Sequence, residues 1–267
     1  MTLVFILGIL IGAVMGLTGA GGGILAVPVL VAGMHWSMQQ AAPVALIAVA
    51  AGAAVGAIDG FKHGLVRYKA AILMAVCGVP MTRVGQQWAQ VLPQFILMGC
   101  FAILMLAVSW RFYKQSQQKY LVSEEDAMRL AFINGETGKF MWTPIAAAIL
   151  AGIGLMTGLM TGLLGVGGGF LIVPLMRRFT HLAVPGIVAT SLFVITLVGS
   201  GGVANALLAG AELPIFETSG FVSAMIIGML IGRRVSRKLQ AWQVQRGFAA
   251  LLFFVSGLMF FKAYLNF

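Results

Sequence analysis

Apolar residues fill this chain in long blocks at 2–34, 38–58, 69–90, 93–113, 141–176, 184–208, 215–233 and 246–265, separated by short polar breaks. Most blocks hold the roughly 20 residues that an α-helix needs to cross a hydrocarbon core of about 30 Å. The blocks at 2–34 and 141–176 are too long for one crossing, and glycines interrupt each of them. The pattern predicts an all-α, polytopic membrane protein. The longest polar stretch, 114–140, reads as a linker between a first transmembrane repeat at 1–113 and a second at 141–267.

The two interrupted blocks carry nearly the same text. Residues 16–30 read GLTGAGGGILAVPVL and residues 162–176 read GLLGVGGGFLIVPLM, with nine of fifteen positions identical. Glycine inside a helix costs about 1 kcal/mol relative to alanine, so three in a row should stop the first helix near residues 16–18 and let it restart near 22–24. A restart exposes unpaired N–H groups and the positive end of a helix dipole. That is a ready anion site, and missing side chains let a ligand approach the backbone. Gly19, Gly21, Gly22 and Gly23, with their repeat mates Gly165, Gly167, Gly168 and Gly169, are therefore candidate substrate-binding residues. The two restarts should face each other near the bilayer midplane, as glycine-interrupted segments in matching halves of a transporter do. Gly8, Gly12 and Gly16, with Gly154, Gly158 and Gly162, recur every four residues and read instead as helix-packing ladders. No GK[ST] follows either glycine run and no βαβ unit surrounds it, which excludes a nucleotide loop.

Charge changes the picture of topology. The chain carries 17 Lys and Arg against 7 Asp and Glu, a formal charge of +10. In a soluble protein that would point to nucleic acid. Here 60% of residues are hydrophobic and 9% charged, so no nucleic-acid partner is expected and the excess follows the rule that cytoplasmic loops collect Lys and Arg. Eight full crossings would split the basic residues nine to eight. The arm at 24–34 has only eleven residues, and at about 1.5 Å each it cannot cross. If each broken block is a hairpin that returns to its own side, the split becomes fifteen to two, with only Arg83 and Lys262 on the lesser side. Each repeat is then a glycine-broken hairpin plus three transmembrane helices, and the halves have inverted topology. The linker lies in the cytoplasm and both termini lie outside. The N-terminus lacks the positive stretch and cleavage site of a signal peptide and reads as the first helix.

Few polar residues interrupt the spans. Arg83 is an anion clamp with a planar guanidinium fork, or an arginine near a helix end snorkelling outward. Thr190 and Ser191 in VATSLFV, and Thr18 beside the first glycine run, are candidate donors to a bound anion; the alternative is a bond back to the preceding helical turn. The first half has Val44 and Ala45 where the second has Thr190 and Ser191. No catalytic arrangement, metal-ligand spacing or cofactor motif is present, and the chain does not read as an enzyme. Cys77 and Cys100 lie inside apolar spans and read as inert thiols.

These features resemble the TauE/SafE family of sulfite exporter-like permeases. The resemblance rests on GxxGxGGGxxxVP at 16–28 and again at 162–174, on the ATS tripeptide at 189–191, and on two half-length repeats around a polar linker. It implies movement of a small anion: sulfite, sulfoacetate, another organosulfonate, thiosulfate or, in some members, a carboxylate. The expectation is a secondary transporter in the bacterial inner membrane, exporting a small organosulfur anion without a cofactor, as a monomer or homodimer. An inside-negative potential favours outward anion movement by about 2.3 kcal/mol per charge per 100 mV. Val44 and Ala45 argue against a symmetric site. The rival readings are an anion channel, an importer of a sulfonate or carboxylate, and a non-transporting membrane scaffold.

Overall fold

The computed structural model describes residues 2–19, 21–34, 36–117, 143–180, 182–211, 213–236 and 239–265. Ten α-helices and one 3-10 turn form the regular structure of these residues. Helix α1 (Thr2–Thr18) leads through the 3-10 turn Gly22–Leu25 into α2 (Ala26–Met34), followed by α3 (Met38–Lys62), α4 (Tyr68–Val91) and α5 (Gln94–Gln117). The second half repeats the order with α6 (Pro144–Leu164), α7 (Gly169–Phe179), α8 (Val184–Leu208), α9 (Ile215–Ser236) and α10 (Ala241–Leu265). Of the linker, only its first residues, at the end of α5, are among those described.

Local chemistry sets the starts. Ser37 Oγ accepts from the Gln40 N–H at 3.2 Å while Gln40 Oε1 accepts from the Ser37 N–H at 3.2 Å, a reciprocal cap that launches α3. Thr143 Oγ1 accepts from the Ala146 N–H at 3.1 Å, and Pro144 occupies the first turn of α6. Six described helices are long and apolar enough to cross a membrane: α3, α5, α6, α8, α9 and most of α10. Helix α4 is as long, at 24 residues, but Thr82, Arg83, Gln86, Gln87 and Gln90 make its second half polar. The bundle exposes large apolar side chains such as Val76, Ile103, Phe253 and Phe254, as a surface solvated by lipid does.

The glycine ladders decide the packing. A Cβ added at Gly12 would lie 2.1 Å from the Met225 carbonyl oxygen, and one at Gly158 only 2.0 Å from that of Gly78. Gly8, Gly12 and Gly16 meet Phe221, Met225 and Met229 in that order, so α1 runs parallel to α9. In the same way Gly154, Gly158 and Gly162 meet Met74, Gly78 and Thr82, so α6 runs parallel to α4. Each half thus lends its first helix to the other half. At the centre α3 and α8 are antiparallel, with Gly60 at Ala189, Gly56 at Leu192 and Gly199 at Ala50. Helices α5 and α10 are antiparallel too. Ser109 Oγ donates to the Ala249 carbonyl at 2.8 Å and Ser256 Oγ donates to that of Ala102 at 2.9 Å.

These pairings bring the ends of α3, α5, α7 and α9 and the starts of α4, α8 and α10 to one end of the bundle. That end carries Lys62, Arg67, Lys69, Arg111, Lys114, Arg177, Arg178, Arg233, Arg234 and Arg246, and is called the basic end below.

Candidate functional site

Both interrupted blocks turn back on themselves at their glycines. Helix α1 stops at Thr18, and chain direction has reversed by Gly22, where a Cβ would meet Met15 Cα at 2.3 Å. Helix α6 stops at Leu164. The Gly165 N–H donates to the Thr161 carbonyl at 2.8 Å, and Gly165, Gly167 and Gly168 have φ of +71°, +75° and +63°. Side chains rarely adopt that left-handed conformation, so three glycines in four residues make the reversal possible. A Cβ at Gly168 would meet Thr157 Cγ2 at 2.3 Å, which brings the start of α7 back against α6.

The two turns meet. A Cβ at Gly23 would be 3.3 Å from the Val166 carbonyl oxygen. Positions for a Cβ at Gly23 and at Gly167 each lie 2.9 Å from Val49 in the middle of α3, and that at Gly167 lies 3.0 Å from Ile195 in the middle of α8. The glycine runs therefore converge halfway along the central helix pair. At the start of α7 the Leu171 and Ile172 N–H groups donate to the Gly168 carbonyl at 3.0 and 3.3 Å. The N–H groups of Gly169 and Phe170 find no carbonyl among the described residues; they are the open amides of a helix N-terminus.

A cavity lies on either side of this meeting point. The larger, about 620 Å³, is at the basic end, walled by Thr18, Gly19 and Gly21 of the first turn and by Gly169 and Phe170 of α7. Arg111, Arg177 and Arg233 also line it. The Arg233 guanidinium pairs with Asp59 through Nη2 and donates from Nη1 to the Gly56 carbonyl at 3.3 Å. Arg111 Nη2 reaches the Pro174 carbonyl at 3.5 Å. Among the described residues no carboxylate lies within 4.0 Å of Arg111 or Arg177. The smaller cavity, about 250 Å³, is at the opposite end, walled by Thr161, Gly162 and Gly165 with Gln39, Gln86 and Gln90, and, among the described residues, by no charged side chain.

The residues expected from the sequence fall into three groups. Gly19, Gly21 and Gly169 wall the larger cavity, Gly165 walls the smaller, and Gly22, Gly23, Gly167 and Gly168 are buried between them. Thr18, which lines the larger cavity, donates its hydroxyl back to the Val14 carbonyl at 2.8 Å, and Ser191 donates to that of Val188 at 2.9 Å. Thr190 accepts from the Arg67 N–H at 3.0 Å at the start of α4. Arg83 is exposed on α4 and lines neither cavity, so the structure does not bring it to the glycine turns. Cys77 and Cys100 are free thiols, and among the described residues no three His, Cys, Asp or Glu gather as a metal site.

Sequence reasoning treated Arg111 and Arg177 only as orienting charges and passed over Thr157 and Thr161. Aligning the halves exposes the second pair, because Thr157 and Thr161 stand where the first half has Ile11 and Met15.

Six helices of membrane-crossing length among the described residues define an integral membrane protein, and its likeness to known proteins makes it a transporter. The Sulfite exporter TauE/SafE family profile matches residues 4–259, and the chain belongs to that family. It is 23% identical over 242 residues to "Probable membrane transporter protein YunE" of Bacillus subtilis (strain 168), covering 88% of each chain. It is 25% identical over 196 residues to "Probable membrane transporter protein" of Xylella fastidiosa (strain 9a5c), covering 71% of this chain and 67% of that one. No solved structure matches the chain.

Proposed function

We propose that this protein is a secondary transporter that exports a small organosulfur anion, sulfite or an organosulfonate such as sulfoacetate, from the cytoplasm. The anion binds where the two glycine turns meet. The observation that carries this reading is the convergence of both turns between a cavity lined by Arg111, Arg177 and Arg233 and one whose described lining carries no charged side chain. Arg111 and Arg177 draw the anion in, and open backbone amides hold it in a site of low dielectric. The uncharged cavity beyond offers no competing cation, so the anion leaves toward it.

In this reading the halves are inverted copies, the basic end is cytoplasmic by the positive-inside rule, and both termini are extracytoplasmic. A periplasmically active reporter fused after Phe267 should be active and a cytoplasmically active one silent; the reverse pattern rules the topology out.

The substrate is tested by thermal unfolding of the purified protein in detergent with sulfite, sulfoacetate, isethionate, taurine, thiosulfate, lactate and phosphate. An anion at a hundred times its Kd stabilises the folded state by about 2.7 kcal/mol, a rise of several degrees for a chain of this size. A rise with sulfite or a sulfonate and none with lactate or phosphate is the expected result. A rise with lactate alone would replace the organosulfur assignment with a carboxylate one.

A further inference from the structure

Thr157, on α6, has none of its surface exposed, and its hydroxyl has no hydrogen-bond partner among the described residues. Three other helical threonines, Thr18, Thr161 and Thr196, each donate to the carbonyl four residues earlier at 2.7–2.9 Å, as does Thr180 just past α7; Thr218 near the start of α9 shares the unpartnered state but lines neither cavity. A buried hydroxyl without a partner costs about 1–3 kcal/mol, and that of Thr157 has forgone the bond that its own helix offers. The Thr157 methyl, Cγ2, would be 2.3 Å from a Cβ at Gly168, the residue before α7, which puts the hydroxyl, carried by the same Thr157 Cβ, beside that turn, and Thr161 Oγ1 would be 3.0 Å away. The next two residues, Gly169 and Phe170, carry the open amides of an eleven-residue helix. They wall the cavity at the basic end, whereas Thr161 and Gly165 wall the cavity at the other end. Thr157 is therefore buried in the partition between the two cavities.

We infer that the Thr157 hydroxyl and the first-turn amides of α7 form an oxyanion subsite that takes one oxygen of the transported anion as it passes the partition. The chemistry selects an anion over a cation. The Thr157 carbonyl already accepts from Thr161 Oγ1 at 2.7 Å, and the N-terminal end of a helix repels positive charge. A hydroxyl can rotate to donate to an incoming oxygen, which the amides cannot do. The first half has no equivalent, because Ile11 and Met15 occupy the matching positions. The protein thus holds one strong subsite and not two, and the glycine turn of the first half serves as the opposing wall. This inference rests on the reading of the protein as an anion transporter.

The experiment compares the wild-type chain with T157V, T157A and T157S in proteoliposomes, following saturable flux of radiolabelled sulfite. A hydrogen bond to a charged group contributes about 1.5–3 kcal/mol, so T157V and T157A should raise KM by at least about tenfold. T157S, which keeps the hydroxyl, should stay within about threefold of wild type. Without sulfite, T157V should unfold at or above the wild-type temperature, because no orphaned hydroxyl remains. T157A provides a second hydroxyl-free test if T157V does not fold. Wild-type flux with unchanged KM in T157V or T157A overturns the subsite and leaves the transport reading standing. No saturable sulfite flux by the wild-type chain moves the same comparison to radiolabelled sulfoacetate, and saturable flux of neither anion overturns both.

Discussion

Gly158→Leu is expected to yield no folded protein, whereas Gly152→Leu on the same helix folds normally. A Cβ at position 158 would sit 2.0 Å from the Gly78 carbonyl oxygen and 2.7 Å from both Gly78 Cα and its carbonyl carbon. Every atom in the way is backbone, so no side chain can move aside. Helices α4 and α6 would have to separate along the length where Gly154, Gly158 and Gly162 now let them touch. Membrane helices gain little from the hydrophobic effect once inserted and associate through close packing. Overpacking of a flexible core already costs about 1–3 kcal/mol, and a clash of two backbones costs more, against a total stability of about 5–15 kcal/mol. Gly152 is exposed, with nothing within 4 Å of an added Cβ. Size exclusion in detergent separates the outcomes: an aggregated G158L beside a monodisperse G152L is expected, and a monodisperse G158L of normal unfolding temperature refutes the argument.

The second large effect falls on transport alone. Gly21 lines the larger cavity, its φ of −80° suits any residue, and an added Cβ would be 3.4 Å from Phe248 and 3.6 Å from Phe112, ordinary contact distances. Gly21→Ala should therefore transport within about twofold of wild type, since a methyl fits without displacing a neighbour. Gly21→Leu extends a branched side chain into the space beside the first glycine turn. It should lower the initial rate by more than about tenfold while shifting the unfolding temperature by only a few degrees. Normal flux through G21L would remove the first turn from the pathway. Bulky residues at Gly22 or Gly168 cannot serve for this test. There the added atom meets Met15 backbone or Thr157 at 2.3 Å, and lost transport would report lost packing.

The broken hairpins were legible because three consecutive glycines cost a continuous helix about 1 kcal/mol each relative to alanine. Helix α1 stops at Thr18 and the chain resumes helical turns at Gly22, as the triplet requires. The four-residue ladders were legible for a similar reason, since small residues at that spacing serve close approach. The polar side chains were harder to read. A threonine in a helix can turn back on its own backbone or outward to a ligand, and the sequence is the same either way. Thr18 and Ser191 took the first course, and Thr190 was claimed by Arg67, which lies 123 residues away along the chain. Thr157 took neither course, which only the position of Gly168 eleven residues later reveals. Arg111 and Arg177 resemble any other loop-edge cations until α5 and α7 converge on one cavity.

The exchange of first helices between the halves has a consequence for synthesis. Gly8, Gly12 and Gly16 are shaped for α9, which begins at Ile215. Helix α1 must wait in the membrane with its glycine face uncovered while some two hundred residues are still to be made. Helix α6 has no such delay, because α4 is already in place when it emerges. Assembly therefore closes late and from the C-terminal side: a chain released before α9 is complete leaves α1 without its mate and exposes it to the proteases that police the bilayer.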